Sequence, residues 1–192
     1  MKKILYEAIG GQGKGGDGLL TILKTLSYTA LKKDYHVAYY SNYNAETRGS
    51  LVEGTAILSN ETIISPIVEK YTTVFAFDKP GFYSYIPRLS PGGTLIWNSS
   101  IISEVQIPDT IKSIPIPIND IAVKSGFPKI GNMLALGVYA KTSNLFSIEE
   151  LLEGMKQYLP IWRQDLIPQN IKILESVFKT LPADLLSGNF LL

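Results

Sequence analysis

Six of the nine residues from Gly10 to Gly18 are glycine, in the order Gly10-Gly11-Gln12-Gly13-Lys14-Gly15-Gly16-Asp17-Gly18. A helix interior does not hold that density of glycine, because each one costs backbone entropy, so the segment reads as a loop. Before it, Lys3 to Ile9 has the pattern of a short strand. After it, Leu19, Leu20, Ile22, Leu23, Leu26, Ala30 and Leu31 recur close to the helical period, so a helix opens there with Asp17 as a cap near its start. A strand, a glycine turn and a helix in this order form a Rossmann-like opening. It can turn backbone N–H groups and the positive end of a helix dipole toward a phosphate. Glycines that merely allow a sharp turn or close packing at an interface would produce the same pattern.

The chain continues with alternating strand and helix signals. Strands are expected at Tyr35–Tyr40, Leu51–Leu58, Thr73–Phe77, Thr94–Trp97 and Ile114–Ile118, the last at an edge because of its prolines. Ser59-Asn60-Glu61 suggests a hairpin between the second of these and Thr62–Ser65, and Ser90-Pro91-Gly92-Gly93 suggests a turn. Helices are expected at Phe82–Leu89, within Asn119–Ala140, from Ser147 to Tyr158 and from Gln169 to Thr180. Ser147-Ile148-Glu149-Glu150 offers a cap and an acidic first turn. Such alternation argues for a three-layer α/β/α fold around a mostly parallel or mixed sheet. At 192 residues the whole chain, 1–192, is expected to form a single domain, with Pro182–Leu192 an apolar tail suited to docking on a partner.

Composition narrows the chemistry. Lys and Arg number 18 against 17 for Asp and Glu, with no basic run, which disfavours nucleic acid and anionic membrane as partners. Cysteine is absent, so this chain supplies no disulfide, no thiolate nucleophile and no thiolate-ligated iron–sulfur cluster. With a single histidine, His36, and no cysteine, a conventional zinc site is disfavoured too. The N-terminus reaches Glu7 and the glycines before a long apolar stretch develops, unlike a signal peptide, and no apolar run is long enough to span a bilayer. A cytoplasmic location is the resulting expectation.

The nucleotide motifs are incomplete. The dinucleotide fingerprint needs a carboxylate at the end of the second strand to hold the ribose, and Tyr39-Tyr40-Ser41-Asn42 has none. A P-loop needs Ser or Thr after Gly-Lys, and Gly13-Lys14 is followed by Gly15. Gly16-Asp17-Gly18 with Asn42 and Asn44 is similar to the metal–diphosphate motif of thiamine enzymes, but the asparagines are not adjacent and the chain is short for that cofactor's two domains. His36, Tyr39, Tyr40, Trp97 and Trp162 are read as structural, core or interface residues. Tyr43, Glu46 and Arg48 stand together in a polar stretch able to bind a charged group or to pair across an interface.

Taken in order, these segments resemble the gamma subunit, or gamma domain, of 2-oxoacid:ferredoxin oxidoreductases, which act on pyruvate, 2-oxoglutarate, ketoisovalerate or indolepyruvate. Ala8-Ile9-Gly10-Gly11-Gln12-Gly13 is similar to the family's Gly-x-Gly-Gly-Gln-Gly, and Ile22-Leu23 to a pair in its following helix. Asn42-Tyr43-Asn44-Ala45-Glu46-Thr47-Arg48-Gly49 is similar to Ser-Tyr-Gly-Pro-Glu-x-Arg-Gly. Leu89-Ser90-Pro91-Gly92-Gly93 running to Asn98-Ser99, and Asn132-Met133-Leu134-Ala135-Leu136-Gly137, are similar to two later motifs. Ala8 departs from the first glycine, and Lys14–Gly18 has the look of an insertion; in an alternative register, Gly13–Gly18 carries the motif with Asp17 in place of Gln. Both registers stay open.

The resemblance implies a subunit of an enzyme that decarboxylates a 2-oxoacid oxidatively, forms an acyl-CoA and passes electrons to ferredoxin. It implies no catalytic residue and no metal ligand in this chain. Thiamine diphosphate, magnesium and iron–sulfur clusters would belong to other subunits, of alpha, beta and ferredoxin-like delta type, with coenzyme A as co-substrate. Gly10, Gly11, Gln12, Gly13, Tyr43, Glu46, Arg48 and Gly49 are then the candidates for contact with coenzyme A phosphates or partner subunits, and a homodimeric contact is also open to them. The alternatives are a stand-alone nucleotide-binding protein using the glycine turn, and a non-catalytic assembly module.

Overall fold

A computed structural model describes residues 6–43, 51–103 and 105–180, with the side chains of residues 43, 162–164, 179 and 180 left aside. The strands are β1 (Tyr6–Lys14), β2 (His36–Tyr43), β3 (Leu51–Ser59), β4 (Tyr71–Ala76), β5 (Leu89–Asn98) and β6 (Lys112–Ile116). The helices are α1 (Leu19–Lys32), α2 (Lys79–Tyr85), α3 (Ile118–Ser125), α4 (Gly131–Ser143), α5 (Ile148–Tyr158) and α6 (Ile167–Thr180). The strands form one six-stranded sheet in the order β2-β3-β1-β4-β5-β6. β4, β5 and β6 follow β1 in parallel, while β3 runs antiparallel to both β1 and β2. The sheet is therefore mixed but mostly parallel, as the alternation predicts.

Its two faces are covered unequally. On one side, Ile9, Ala56, Leu58, Phe75 and Ile96 share a core with α1, α3, α4, α5 and α6 through Leu19, Leu23, Ile121, Leu136, Leu151 and Leu174. On the other, Ala8, Ile57, Val74, Ala76, Leu95 and Trp97 meet, among the described residues, Phe82 and Tyr85 of α2, together with Val68, Ile102 and half-buried Ile63, Ile107 and Ile111 from connecting segments. The helix layers exist on both faces, but the second is one short helix thick.

Several local expectations change for identifiable reasons. Gly10–Gly13 are not loop: β1 carries them, pairing Gly10 with Thr55, Gly11 with Gly54 and Gly13 with Val52. A Cβ on Gly10 would collide with the Tyr71 ring, and one on Gly11 with the Phe75 carbonyl oxygen on β4, so these glycines serve close approach within the sheet. The hairpin to Thr62–Ser65 is absent, because β1 and β2 occupy both edges of β3; Ile64 instead stands 97% exposed. The helix expected at Phe82–Leu89 starts earlier, where Asp78 Oδ1 caps the Gly81 N–H at 2.7 Å and Pro80 follows, and ends in a 3-10 turn at Ile86–Arg88. Leu89 already belongs to β5; Ser90–Gly93 bulge out between the pairs Tyr71–Leu89 and Thr73–Thr94. Gly126, at φ 72°, separates α3 from α4.

Candidate functional site

β1 delivers the chain to a turn at its carboxyl end, and that turn is built by Lys14–Gly18. Asp17 does not cap α1. Its Oδ2 accepts from the Lys14 N–H at 2.7 Å while its own N–H donates to the Lys14 carbonyl at 3.0 Å, closing the turn on itself. The N-cap of α1 is Gly18 at φ 82°, with no side-chain cap, so the first-turn N–H groups have no side-chain acceptor. Gly18 is needed for its left-handed conformation and because a Cβ would fall 2.7 Å from Asn132 at the start of α4. α4 also begins without a side-chain cap, at Ile130.

The turn ahead of α1 and the start of α4 open on one cleft of about 400 Å³ at the carboxyl ends of the parallel strands. Gly16 and Asp17 form one wall, Phe77 and Asn98 the strand ends, Ile118 and Asn119 the start of α3, and Lys129 and Gly131 the entry to α4. In open α/β sheets this is where ligands bind. Asn98 is buried; its Nδ2 donates to Asn119 Oδ1 at 3.0 Å and its Oδ1 accepts from the Ser100 N–H at 3.2 Å. Ser100 Oγ in turn accepts from the Asn119 and Asp120 N–H groups and donates to Asp120 Oδ2 at 2.9 Å. The family-like Asn98-Ser99 and Asn132 segments thus shape the cleft. Burial raises the Asp17 carboxyl pKa above its ordinary value of 3.8, the Asp78 carboxylate adds to that, and the Lys14 N–H bond and charge oppose it.

Gly10, Gly11, Gln12 and Gly13 lie buried in the sheet, and from the whole glycine segment it is Gly16 and Asp17 that reach the cleft. Gln12, 4% exposed, faces the thinly covered side. With its amide nitrogen toward Glu53 Oε1 at 3.2 Å and its oxygen toward the Gly81 N–H at 3.1 Å, it ties β1 to β3 and α2. The strand-to-helix position is held by Gly15–Gly18. Tyr43 pairs with Val52 in the backbone, and Val52 pairs in turn with Gly13. Glu46, Arg48 and Gly49 fall outside the described residues, as does the tail Pro182–Leu192. Glu53, Phe77, Asn119 and Lys129 were not legible as site residues, although Asp78-Lys79-Pro80 is a helix-start signal that could have revealed α2. No group of three or more His, Cys, Asp or Glu able to hold a metal forms among the described residues, and none of their helices is long and apolar enough to cross a membrane.

A mostly parallel α/β sheet whose strand ends share one cleft with the turn ahead of α1 and the start of α4 has the arrangement of the doubly wound α/β class. The antiparallel β3, wedged between β1 and β2, removes β2 from the place where a dinucleotide fold holds its ribose carboxylate. The chain belongs to the pyruvate ferredoxin/flavodoxin oxidoreductase family, whose model matches residues 9–180. It is 25% identical over 164 residues to the ketoisovalerate oxidoreductase subunit VorA of Methanothermobacter thermautotrophicus, a match covering 85% of this chain and 34% of that protein. The chain thus spans about a third of the length of the VorA relatives it matches. It is also 25% identical over 165 residues to the 2-oxoglutarate synthase subunit KorC of Methanothermobacter marburgensis, covering 83% of this chain and 87% of that subunit.

Solved structures share the fold. The gamma subunit of a keto/oxoacid ferredoxin oxidoreductase from Geobacter sulfurreducens superposes with a TM-score of 0.72 at 19% identity, covering 90% of this chain and 96% of that one. The 2-oxoglutarate:ferredoxin oxidoreductase of Magnetococcus marinus, solved with 2-oxoglutarate, coenzyme A and succinyl-CoA bound, gives 0.78 at 18% identity, covering 99% of this chain and 32% of that one.

Proposed function

We propose that this chain is the gamma subunit of a 2-oxoacid:ferredoxin oxidoreductase complex, a single gamma-type domain over residues 1–192 that works in the cytoplasm with alpha, beta and delta-type subunits. The observation that carries this reading is the family match over residues 9–180, joined to a fold shared with a separate gamma subunit over nearly all of its length. The complex would decarboxylate a 2-oxoacid oxidatively to an acyl-CoA and pass the electrons to ferredoxin. Thiamine diphosphate, magnesium and iron–sulfur clusters would sit in the other subunits. This chain's part is binding and assembly.

The cleft suits the phosphate portion of coenzyme A. The start of α4, without a side-chain cap, supplies backbone donors and a positive dipole end, the Gly16–Asp17 turn lines the cleft too, and Lys129 stands at its rim. Contact would come from the Gly16–Gly18 end of the glycine segment, with Gly10–Gly13 holding β1 in place, and from Tyr43, Glu46, Arg48 and Gly49 at the partner boundary. The thinly covered sheet face, flanked by exposed Ile64, Ile67 and Tyr83, is the side we assign to the neighbouring subunits.

Calorimetry with coenzyme A, NAD and ATP, on the full chain alone and in its complex, tests the reading. Coenzyme A binding that strengthens in the complex supports it. Tight NAD or ATP binding by the chain alone would replace it with a stand-alone nucleotide-binding protein.

A further inference from the structure

The Ser90–Gly93 bulge, part of a segment similar to the family's motifs, does not face the cleft at the carboxyl ends of the strands. It lies at the opposite end of the sheet, lining a second pocket of about 210 Å³ with Glu7 of β1, Thr72 and Thr73 of β4, Thr94 of β5 and the last turn of α4. We propose that this pocket binds a monovalent cation, either an alkali ion or a primary ammonium group, with the Glu7 carboxylate as its anionic anchor.

The lining decides the charge of the ligand. Among the described residues Glu7 is its only ionisable carboxyl and no lysine or arginine lines it, so an anion would find no charge partner there. The remaining polar groups are hydroxyls, those of Thr72, Thr73, Ser90, Thr94, Thr142 and Ser143. Thr142 and Ser143 belong to the carboxyl-terminal turn of α4, the negative end of its dipole. One carboxylate among neutral oxygens matches a single positive charge; a calcium-type site recruits more carboxylates than this.

The existing hydrogen bonds leave acceptors unused. Thr72 Oγ1 donates to Glu7 Oε2 at 2.7 Å, and Glu7 Oε1 has no partner among the described residues. Burial raises the Glu7 pKa above 4.5 while the Thr72 bond opposes it, and no positive charge among the described residues contributes. Beneath the pocket, the buried Tyr139 hydroxyl lacks a hydrogen-bond partner of normal geometry. Ser143 stands close enough to oppose the upward push that burial, and secondarily Glu7, gives its pKa. A half-buried carboxyl and an unpaired phenol beside a space of this size are polar groups left incomplete among the described residues. The bulge keeps that space open: Gly92, at φ 79°, has nothing within 4 Å of where a Cβ would stand, and its N–H is held at 2.7 Å by the Thr110 carbonyl.

Thermal unfolding of the full chain at constant ionic strength tests the site, with potassium, sodium or ethanolammonium chloride replacing tetramethylammonium chloride, whose cation has no N–H and is too bulky for close oxygen ligation. The expected result is a saturable rise in Tm of about 3 °C in at least one of the three salts, the active salt identifying metal ion or ammonium. In Glu7→Gln the midpoint concentration should rise about ten-fold or the shift should vanish. Thr94→Val, which keeps the β-branched shape in β5, should weaken the response about three-fold and leave the Tm in tetramethylammonium unchanged; it decides the matter if Glu7→Gln does not fold. Equal Tm values in all four salts, or a shift that both variants retain in full, would overturn the proposal.

Discussion

Gly11 and Gly16 sit five residues apart in one glycine-rich run yet answer to different physics. A methyl group on Gly11 would meet the carbonyl oxygen of Phe75, a backbone atom of a central strand that cannot step aside. Gly16 has open space around it but holds φ at 113°. Gly11→Ala should therefore cost about 3 kcal/mol by overpacking, whereas Gly16→Ala should cost about 1 kcal/mol through backbone strain alone; urea unfolding of the two variants measures the contrast. Asp17 gives a pH signature. A carboxyl whose pKa is higher folded than unfolded binds its proton more tightly in the folded state, so stability falls as pH rises from 3.8 through the raised folded value. Asp17→Asn keeps an oxygen for the Lys14 N–H and removes that fall. Its Tm relative to the parent chain should thus increase between about pH 3.5 and pH 7, and a constant difference across that range would contradict the assignment.

At the scale of elements, what could be read in advance depended on how local the cause was. α5 was legible because Ser147 and Glu150 are three residues apart and form a reciprocal capping box, Ser147 Oγ accepting from the Glu150 N–H and Glu150 Oε2 from the Ser147 N–H. Ser147→Ala should cost about 1 kcal/mol in chemical denaturation, while Lys32→Ala, which breaks the exposed pair with Glu153, should leave the unfolding midpoint nearly unchanged. Gly10–Gly13 were misread as loop because the reasons for them, the Tyr71 ring and the Phe75 carbonyl, lie far along the chain and become neighbours only when β4 joins β1. The same holds for β3. Its alternation marks a strand, but nothing nearby in sequence says that it runs between β1 and β2 and leaves Thr62–Ser65 unpaired. The cleft was legible in part: the family-like Asn98 and Asn132 segments shape it, whereas Lys129 and Phe77 have no local signature.

For the whole molecule, the unequal layers carry the argument. Five helices cover one sheet face, while among the described residues the other has α2 and coil, with Ile64 and Ile67 exposed beside it. If that face meets the rest of the complex, Ile67→Asp should reduce recovery of the assembled complex about ten-fold and leave the Tm of the chain within about 2 °C, as expected for a surface position away from the core. At the cleft, Lys129→Ala should raise the KM for coenzyme A about five-fold with little change in kcat, because a charge that holds phosphate in both ground and transition states contributes uniform binding. The central claim is that this chain works as the gamma subunit of a 2-oxoacid:ferredoxin oxidoreductase. It is tested most directly by purifying the tagged full chain from its own cells and assaying the eluate for coenzyme A-dependent viologen reduction with a set of 2-oxoacids. The prediction is that this activity, together with thiamine diphosphate, co-purifies with the chain and requires coenzyme A; a chain recovered alone, with no such activity and with tight NAD binding of its own, would contradict it.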